Sequence, residues 1–227
     1  MRTLVVGTFL TLDGVMQAPG APEEDREGGF EHGDWTVRFW DDMMGEAIIA
    51  QLRAADALLL GRKTYQIFAA HWPRVTDPND PIAAKLNGVR KHVVSRTLPT
   101  VDWNNSVLIS RDVPETVARL KAGPGGEIQV AGSGNLVQTL LRHDLVDEFR
   151  LWVFPVVLGT GKRLFGDGTI PQALRLVETR VSGTGVATHR YVRAGKPEYG
   201  AFEADEAGSS RALWEGNEES RGSSAGS

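Results

Sequence analysis

The amino-acid sequence predicts an α/β domain with a mixed, mostly parallel sheet that ends in an antiparallel hairpin. Up to Asp147, short apolar runs alternate with helix-like segments; beyond it the texture changes to Val-, Phe- and Trp-rich runs around a Ser182-Gly183-Thr184-Gly185 turn. Size supports the same reading: 227 residues at 41% hydrophobic content suit a single core with a tail, and no repeat at solenoid spacing is present.

Residues 4–12, 57–60, 92–95, 107–110 and 128–131 are short and apolar, as strands buried on both faces should be. Between the first two, Trp40, Met43, Met44, Ala47 and Ile48 recur at helical spacing, which predicts a helix over 37–54. Asp112 as N-cap, Pro114 in the first turn and Glu115 three residues on predict another over 112–121, stopped by Gly123-Pro124-Gly125-Gly126. A third covers 135–142. Residues 149–158 form a long strand, and 174–178 with 187–193 form the two arms of the hairpin. Apolar side chains fall on both faces of 149–158, so one face is expected to be covered by a second copy, as a homodimer. The folded domain is 1–195. Residues 196–227 are rich in Gly, Ser and Glu and read as a flexible polar tail, with too few apolar groups to fold alone.

Composition excludes several functions. With 25 basic and 29 acidic side chains the formal charge is -4, which offers no broad field for nucleic acid. The absence of cysteine removes disulfides, thiolate nucleophiles and cysteine zinc sites, and the five histidines show no metal-ligand spacing. Thr3, Thr8, Thr11 and Asp13 interrupt the first apolar run, so it is not a secretory leader, and no run is long enough to span a membrane. The expectation is a cytoplasmic protein with a small-molecule substrate.

Three segments at strand-to-helix junctions carry chemistry. Gly61-Arg62-Lys63-Thr64-Tyr65 brings free backbone N–H groups, a hydroxyl and two cations to one helix start, which is either a phosphate site or a turn with a solvated Arg-Lys pair. Ser95-Arg96-Thr97 sits at a strand end, where open α/β sheets collect ligands, and its arginine suits a ribose 2′-phosphate. Ala131-Gly132-Ser133-Gly134-Asn135 lets backbone approach a pyrophosphate closely.

In this order, together with Thr11-Leu12-Asp13-Gly14 and Pro155-Val156-Val157-Leu158-Gly159-Thr160-Gly161, the segments resemble the dihydrofolate reductase superfamily, within it the riboflavin-pathway reductase branch (RibD C-terminal-like). The resemblance spans about residues 2–193. It implies a three-layer fold holding NADPH across the strand ends. Gly61, Arg62, Lys63 and Thr64 would meet the phosphates, Ser95 and Arg96 the 2′-phosphate, and Gly132, Ser133, Gly134, Asn135 and Leu136 the pyrophosphate. The nicotinamide would lie near Thr11, Asp13 and Gly14. Relatives often carry two adjacent glycines joined by a cis peptide where this chain has Gly132-Ser133, which leaves the isomer open here.

Reduction of C=N or C=O needs a proton for the heteroatom, and the candidate acids are Asp13, Asp41, Asp42 and Glu46. Asp41 and Asp42 also suit the start of a helix, and Asp42 with Glu46 also suits a solvated acidic face. Counted back from Gly61, the helix position at which folate-reducing relatives carry a carboxylate is Gly45, which argues against folate. Residues 17–35 form either an active-site lid or a disordered insertion. The resemblance thus implies an NADPH-dependent reductase most like 5-amino-6-(5-phosphoribosylamino)uracil reductase. A dihydrofolate or pteridine reductase and a non-catalytic NADPH-binding protein are the alternatives.

Overall fold

The computed structural model describes residues 1–200 and, beyond them, the backbone of two short strands, Phe202–Ala204 and Ser210–Ala212. Eight strands form one sheet: β1 (Leu4–Thr11), β2 (Ala55–Gly61), β3 (Arg90–Val94), β4 (Ser106–Ile109), β5 (Glu127–Ala131), β6 (Glu148–Phe154), β7 (Leu174–Val181) and β8 (Ala187–Arg193). Their order is β4-β3-β2-β5-β1-β6-β8-β7. All pairs from β4 to β6 are parallel, and β8 runs antiparallel to both β6 and β7. The expected architecture is therefore observed. Strand β6 stops four residues short of the expected 158 because Pro155 has no N–H to continue the ladder.

Helices α1 (Asp42–Ala54), α2 (Arg62–His71) and α3 (Pro81–Gly88) cover one face through Met44, Leu52, Tyr65 and Leu86; α4 (Val113–Ala122) and α5 (Gly134–Arg142) cover the other through Val117, Val137 and Leu140. Alternation along β1 feeds both layers, with Leu4, Val6 and Leu10 packing towards α4 and α5. Phe9 joins Trp152, Phe154 and Met44 on the α1 side.

Helix α1 starts five residues later than periodicity suggested. Residues 37–39 form a separate 3-10 turn, Trp40 is extended, and Asp41 caps the helix by accepting from the Met44 N–H at 3.0 Å. Helix α3 was not expected, although Asp80 accepts from Ile82 and Ala83 N–H groups and Pro81 occupies the first turn. Asp112 precedes α4 as expected, but it stands in the left-handed region and makes no side-chain cap.

One further expectation is revised. Both faces of β6 are already covered within the subunit: Phe149 and Leu151 belong to one core layer, Trp152 and Phe154 to another. The edge strand β7 exposes Leu176, Val177 and Val181, and Val157, just after β6, is exposed as well. Within the stretch read as a tail, Phe202–Ala204 pairs antiparallel with Ser210–Ala212; the other residues after 200 lie outside the described ones. No described helix is long and apolar enough to cross a membrane.

Candidate functional site

A cleft of about 1860 Å³ opens along the C-terminal ends of β2, β3, β4 and β5 and continues over the α1 face of the sheet. Its outer edge is made by three helix starts. Helices α2, α4 and α5 have no side-chain N-cap, whereas α1 and α3, which serve the core, are capped by Asp41 and Asp80. Uncapped first-turn N–H groups and the positive ends of three helices therefore face one edge, where an anion is favoured.

The residues the sequence placed at this edge gather there: Gly61, Arg62, Lys63, Thr64, Ser95, Arg96, Gly132, Ser133, Gly134, Asn135 and Leu136 all line the cleft. The Gly132–Ser133 bond is trans, and both residues are left-handed, with φ of 51 and 57°. Ser133 Oγ accepts from the Gly61 N–H at 2.9 Å, donates to the Ala131 carbonyl at 2.8 Å and lies 3.1 Å from Thr64 Oγ1. The serine that departs from the family's second glycine thus ties the β5–α5 turn to the β2–α2 turn. Ser95 accepts from the Thr97 and Leu98 N–H groups, so its hydroxyl shapes the turn that presents Arg96. Arg111, two residues after β4, lines the same stretch and was missed, although the strand expected over 107–110 ends directly before it. Neither Arg96 nor Arg111 has a salt-bridge partner among the described residues.

The candidate acids do not reach the cleft. Asp13 accepts from Thr11 Oγ1 at 2.6 Å and from the Gly159 and Leu158 N–H groups, and pairs with Arg163. The Thr11 hydroxyl, with those amides, holds its pKa down to about 2, so at neutral pH it has no proton to give. Thr11 and Gly14 build the same turn: Thr11 Oγ1 also accepts from Val15 N–H, and Gly14, at φ 81°, donates to the Thr11 carbonyl. None of the three is among the residues that line the cleft, where the nicotinamide was expected to meet them. Asp42 and Glu46 are solvent-facing on α1, and Asp41 also holds the Gly183 N–H of the β7–β8 turn at 2.9 Å.

What β1 does offer is a bare edge. Its last pair with β5 is Gly7–Ala131, while its pairing with β6 continues to Thr11. Thr8 on this stretch is among the lining residues, while its hydroxyl is buried and has no hydrogen-bond partner among the described residues.

Further in, Gly7 and Ala131 leave a flat floor beside Gln129 and Arg150, roofed by Ile48, Gln51 and Leu52 of α1. Arg150 donates through Nη1 and Nη2 to Glu127 at 3.0 and 2.7 Å and through Nε to Glu148 at 2.7 Å. Burial works against ionisation of Glu127, but Arg150 and Gln129 outweigh it and hold its pKa below the usual range. Residues 17–35 are packed on the body, not loose. Buried Asp25 bonds Lys162 at 2.7 Å and lies 3.3 Å from Lys63, and Gln17 donates to the Asp25 and Glu27 carbonyls. Among the described residues no group of His, Cys, Asp or Glu side chains could hold a metal ion.

A three-layer α/β sheet with uncapped helix starts along one strand-end edge defines a protein of the dihydrofolate-reductase-like class. Within it, the model of the RibD C-terminal domain family matches residues 2–188, and the chain belongs to that family. The uncharacterized protein YyaP of Bacillus subtilis (strain 168) is 33% identical over 187 residues, 82% of this chain and 92% of that one. The uncharacterized protein YwjB of the same organism is 31% identical over 164 residues, 71% and 88% of the two chains. Among solved structures, a putative riboflavin biosynthesis protein from Shewanella sp. PV-4 superimposes with a TM-score of 0.65 at 21% identity, over 85% of this chain and 99% of that one. A pyrimidine reductase-like protein from Corynebacterium diphtheriae gives 0.56 at 16% identity, over 85% and 92%. A diaminohydroxyphosphoribosylaminopyrimidine deaminase/5-amino-6-(5-phosphoribosylamino)uracil reductase from Thermotoga maritima gives 0.55 at 14%, over 85% and 57%. The family supports a reductase-like role, and the solved neighbours share the fold.

Proposed function

We propose that the chain is an NADPH-dependent reductase that delivers hydride to a C=N or C=O group of a small heterocyclic metabolite. The observation that carries this reading is the contrast in capping: the three helix starts on the cleft edge are open, and exposed Arg62, Arg96 and Arg111 stand beside them. Such an edge suits a dinucleotide with an additional 2′-phosphate. Bound NADPH would supply the hydride. Gly61 to Thr64 and Gly132 to Asn135 would hold its phosphates, and Arg96 and Arg111 its 2′-phosphate.

The proton has to come from elsewhere than the expected carboxylates. Asp13 is committed to its turn, and Glu127 is held ionised by Arg150, so water entering the cleft is the donor this arrangement supports. A folate-type reductase is less well supported, because α1 lines the chamber with Ile48, Gln51 and Leu52 and no carboxylate. Titration with NADPH and NADH tests the cofactor: a preference for NADPH is expected, and equal affinities would refute the assignment. NADPH oxidation with a panel of imines and carbonyls then separates a reductase from a non-catalytic binder.

The homodimer is proposed on the β7 edge, where Leu176 and Val181 are exposed. Light scattering should give a mass near twice 24.7 kDa. A value near one chain mass would sink the dimer.

A further inference from the structure

We propose that Met16 is a reversible oxidation site on the cleft edge: a peroxide converts its thioether to the sulfoxide, and the added oxygen occupies the open start of α5 and lowers the affinity of that edge for phosphate. The inference rests on reading the outer edge as a phosphate site.

The chain has no cysteine, so its oxidisable sulfur is carried by four methionines, Met1, Met16, Met43 and Met44. Their surroundings differ. Met44 is fully buried with Trp152 and Phe154 on the α1 side of the sheet, Met1 is exposed at the N-terminus, and Met43 is half-buried. Of the four, Met16 alone lines the cleft, half-buried, with one side against the core layer that contains Leu136 and Leu164. An oxidant that enters the cleft therefore reaches this sulfur.

Its position is defined by the glycines of the β5–α5 turn. A Cβ built on Gly134 would lie 3.0 Å from Met16 Sδ and 3.7 Å from its methyl carbon, and one built on Gly132 would lie 3.9 Å from the same methyl. The thioether thus packs against the bare faces of both glycines, a close fit that suits a neutral, polarisable sulfur. The Met16 N–H donates to the Lys162 carbonyl at 2.8 Å, and the neighbouring Val15 bridges to Arg163, which fixes the backbone from which the sulfur projects.

The same turn leaves donors open. No side chain caps α5, and its first helical bond runs from the Val137 N–H to the Ser133 carbonyl at 3.0 Å, so the N–H groups of Gly134, Asn135 and Leu136 have no helical partner. A thioether is a weak acceptor and leaves them to an anion. In the oxidation, one oxygen of hydrogen peroxide bonds to sulfur as the O–O bond breaks, the other leaves as water, and sulfur gives up two electrons. The sulfoxide is polar and a much better acceptor. Beside the α5 start it takes an N–H that a phosphate would use and sets a partial negative charge against the phosphate oxygens. Methionine sulfoxide reductases return the sulfur to the thioether, the oxygen leaving as water while two thiols become a disulfide.

Hydrogen peroxide treatment of the full chain, followed by peptide mass spectrometry, reads the order of oxidation: Met16 should gain one oxygen well before Met44. Calorimetric titration should then show NADP⁺ bound about tenfold more weakly by the oxidised chain, as expected when a hydrogen bond to a charged group is lost. Methionine sulfoxide reductases A and B with dithiothreitol should restore the parent affinity. Met16→Leu, which conserves volume, should bind NADP⁺ alike before and after peroxide, whereas Met43→Leu should stay as sensitive as the parent. Hydrogen exchange over residues 134–137 needs no cofactor; these amides should exchange more slowly in the oxidised parent and at an unchanged rate in peroxide-treated Met16→Leu. Oxidised Met16 with unchanged exchange overturns the proposal. So does undiminished NADP⁺ affinity in the oxidised chain, equal peroxide sensitivity of Met16→Leu, or a Met16 that resists peroxide as long as Met44. Slowed exchange in a chain that binds NADP⁺ in neither form would leave the oxidation site standing and remove the cofactor assignment.

Discussion

The outer edge and the inner floor of the cleft are built in opposite ways. At the edge each contribution is local: a strand ends, a glycine or left-handed serine turns the chain, and the next helix opens without a cap. On the floor, Gly7, Gln129 and Arg150 come from three strands distant in sequence and meet only through the β5-β1-β6 register. The edge is assembled from exposed cations on rigid turns, the floor from half-buried polar groups that satisfy one another. Substitutions in the two regions should therefore fail differently: floor changes through stability, edge changes through ligand affinity with the fold intact.

The largest effect should come from Arg150→Met. The side chain is 15% exposed and balances Glu127 and Glu148, and removing one partner of a largely buried ion pair costs about 3 kcal/mol. For a chain of this length that corresponds to a melting temperature lower by roughly 10 °C. Arg150→Met combined with Glu127→Gln should recover part of the loss. A single variant that melts with the parent would show that the floor network contributes little and would erase the distinction between the regions.

Arg96→Ala should do the reverse. Loss of charge-assisted hydrogen bonds to a phosphate costs about 2 kcal/mol, or roughly thirtyfold in NADPH affinity, with NADH affinity and melting temperature nearly unchanged. Arg111→Ala should act in the same direction. If calorimetric titration shows both cofactors weakened equally, the arginine does not read the 2′-phosphate.

The same contrast explains what the sequence made legible. Glycine turns and arginines at strand ends announce themselves in runs of four or five residues, and every residue expected at the phosphate edge lines the cleft. Turn chemistry misled where one residue had two uses. Asp13-Gly14 looked like a catalytic acid beside a flexible glycine, but the carboxylate ties β1 to the segment after β6 across 146 positions of sequence, a contact no local pattern encodes. Gln129 and Arg150 gave no signal, since a polar residue inside an apolar strand reads as an outward-facing position until its neighbours are known. The Phe149–Leu158 run was misjudged for a related reason: periodicity shows that both faces are apolar, not that helices of the same subunit cover them.

A smaller effect is expected where residues 17–35 fasten to the edge. Asp25→Asn removes the charge that holds Lys162 and Lys63, both of them half-exposed, so about 1 kcal/mol of local fastening is at stake. Limited proteolysis should cut between Gly20 and Gly33 several-fold faster, while the global melting temperature falls by only a few degrees. Unchanged cleavage would mean that buried Phe30 and Trp35 hold the segment without help from the ion pairs.

The smallest effect separates the structural carboxylate from the catalytic role first expected of it. Because the Thr11 hydroxyl and two backbone amides favour the ionised form, Asp13 has a pKa of about 2 in the folded chain against 3.8 unfolded. The unfolded state therefore takes up its proton first as pH falls. The stabilisation is fully present above about pH 4 and is lost as pH drops through 2, so it adds to the acid limb of the stability curve and leaves the neutral range flat. Asp13→Asn keeps a side chain able to accept from the same amides but cannot titrate. The melting-temperature difference between parent and variant should therefore be constant from pH 8 to 5 and shrink between pH 4 and 2, while any pH dependence of turnover near neutrality is the same in both. If the variant instead abolishes turnover with its melting curve unchanged, Asp13 acts in the chemistry, and the turn it ties would have to open towards the cleft during the reaction.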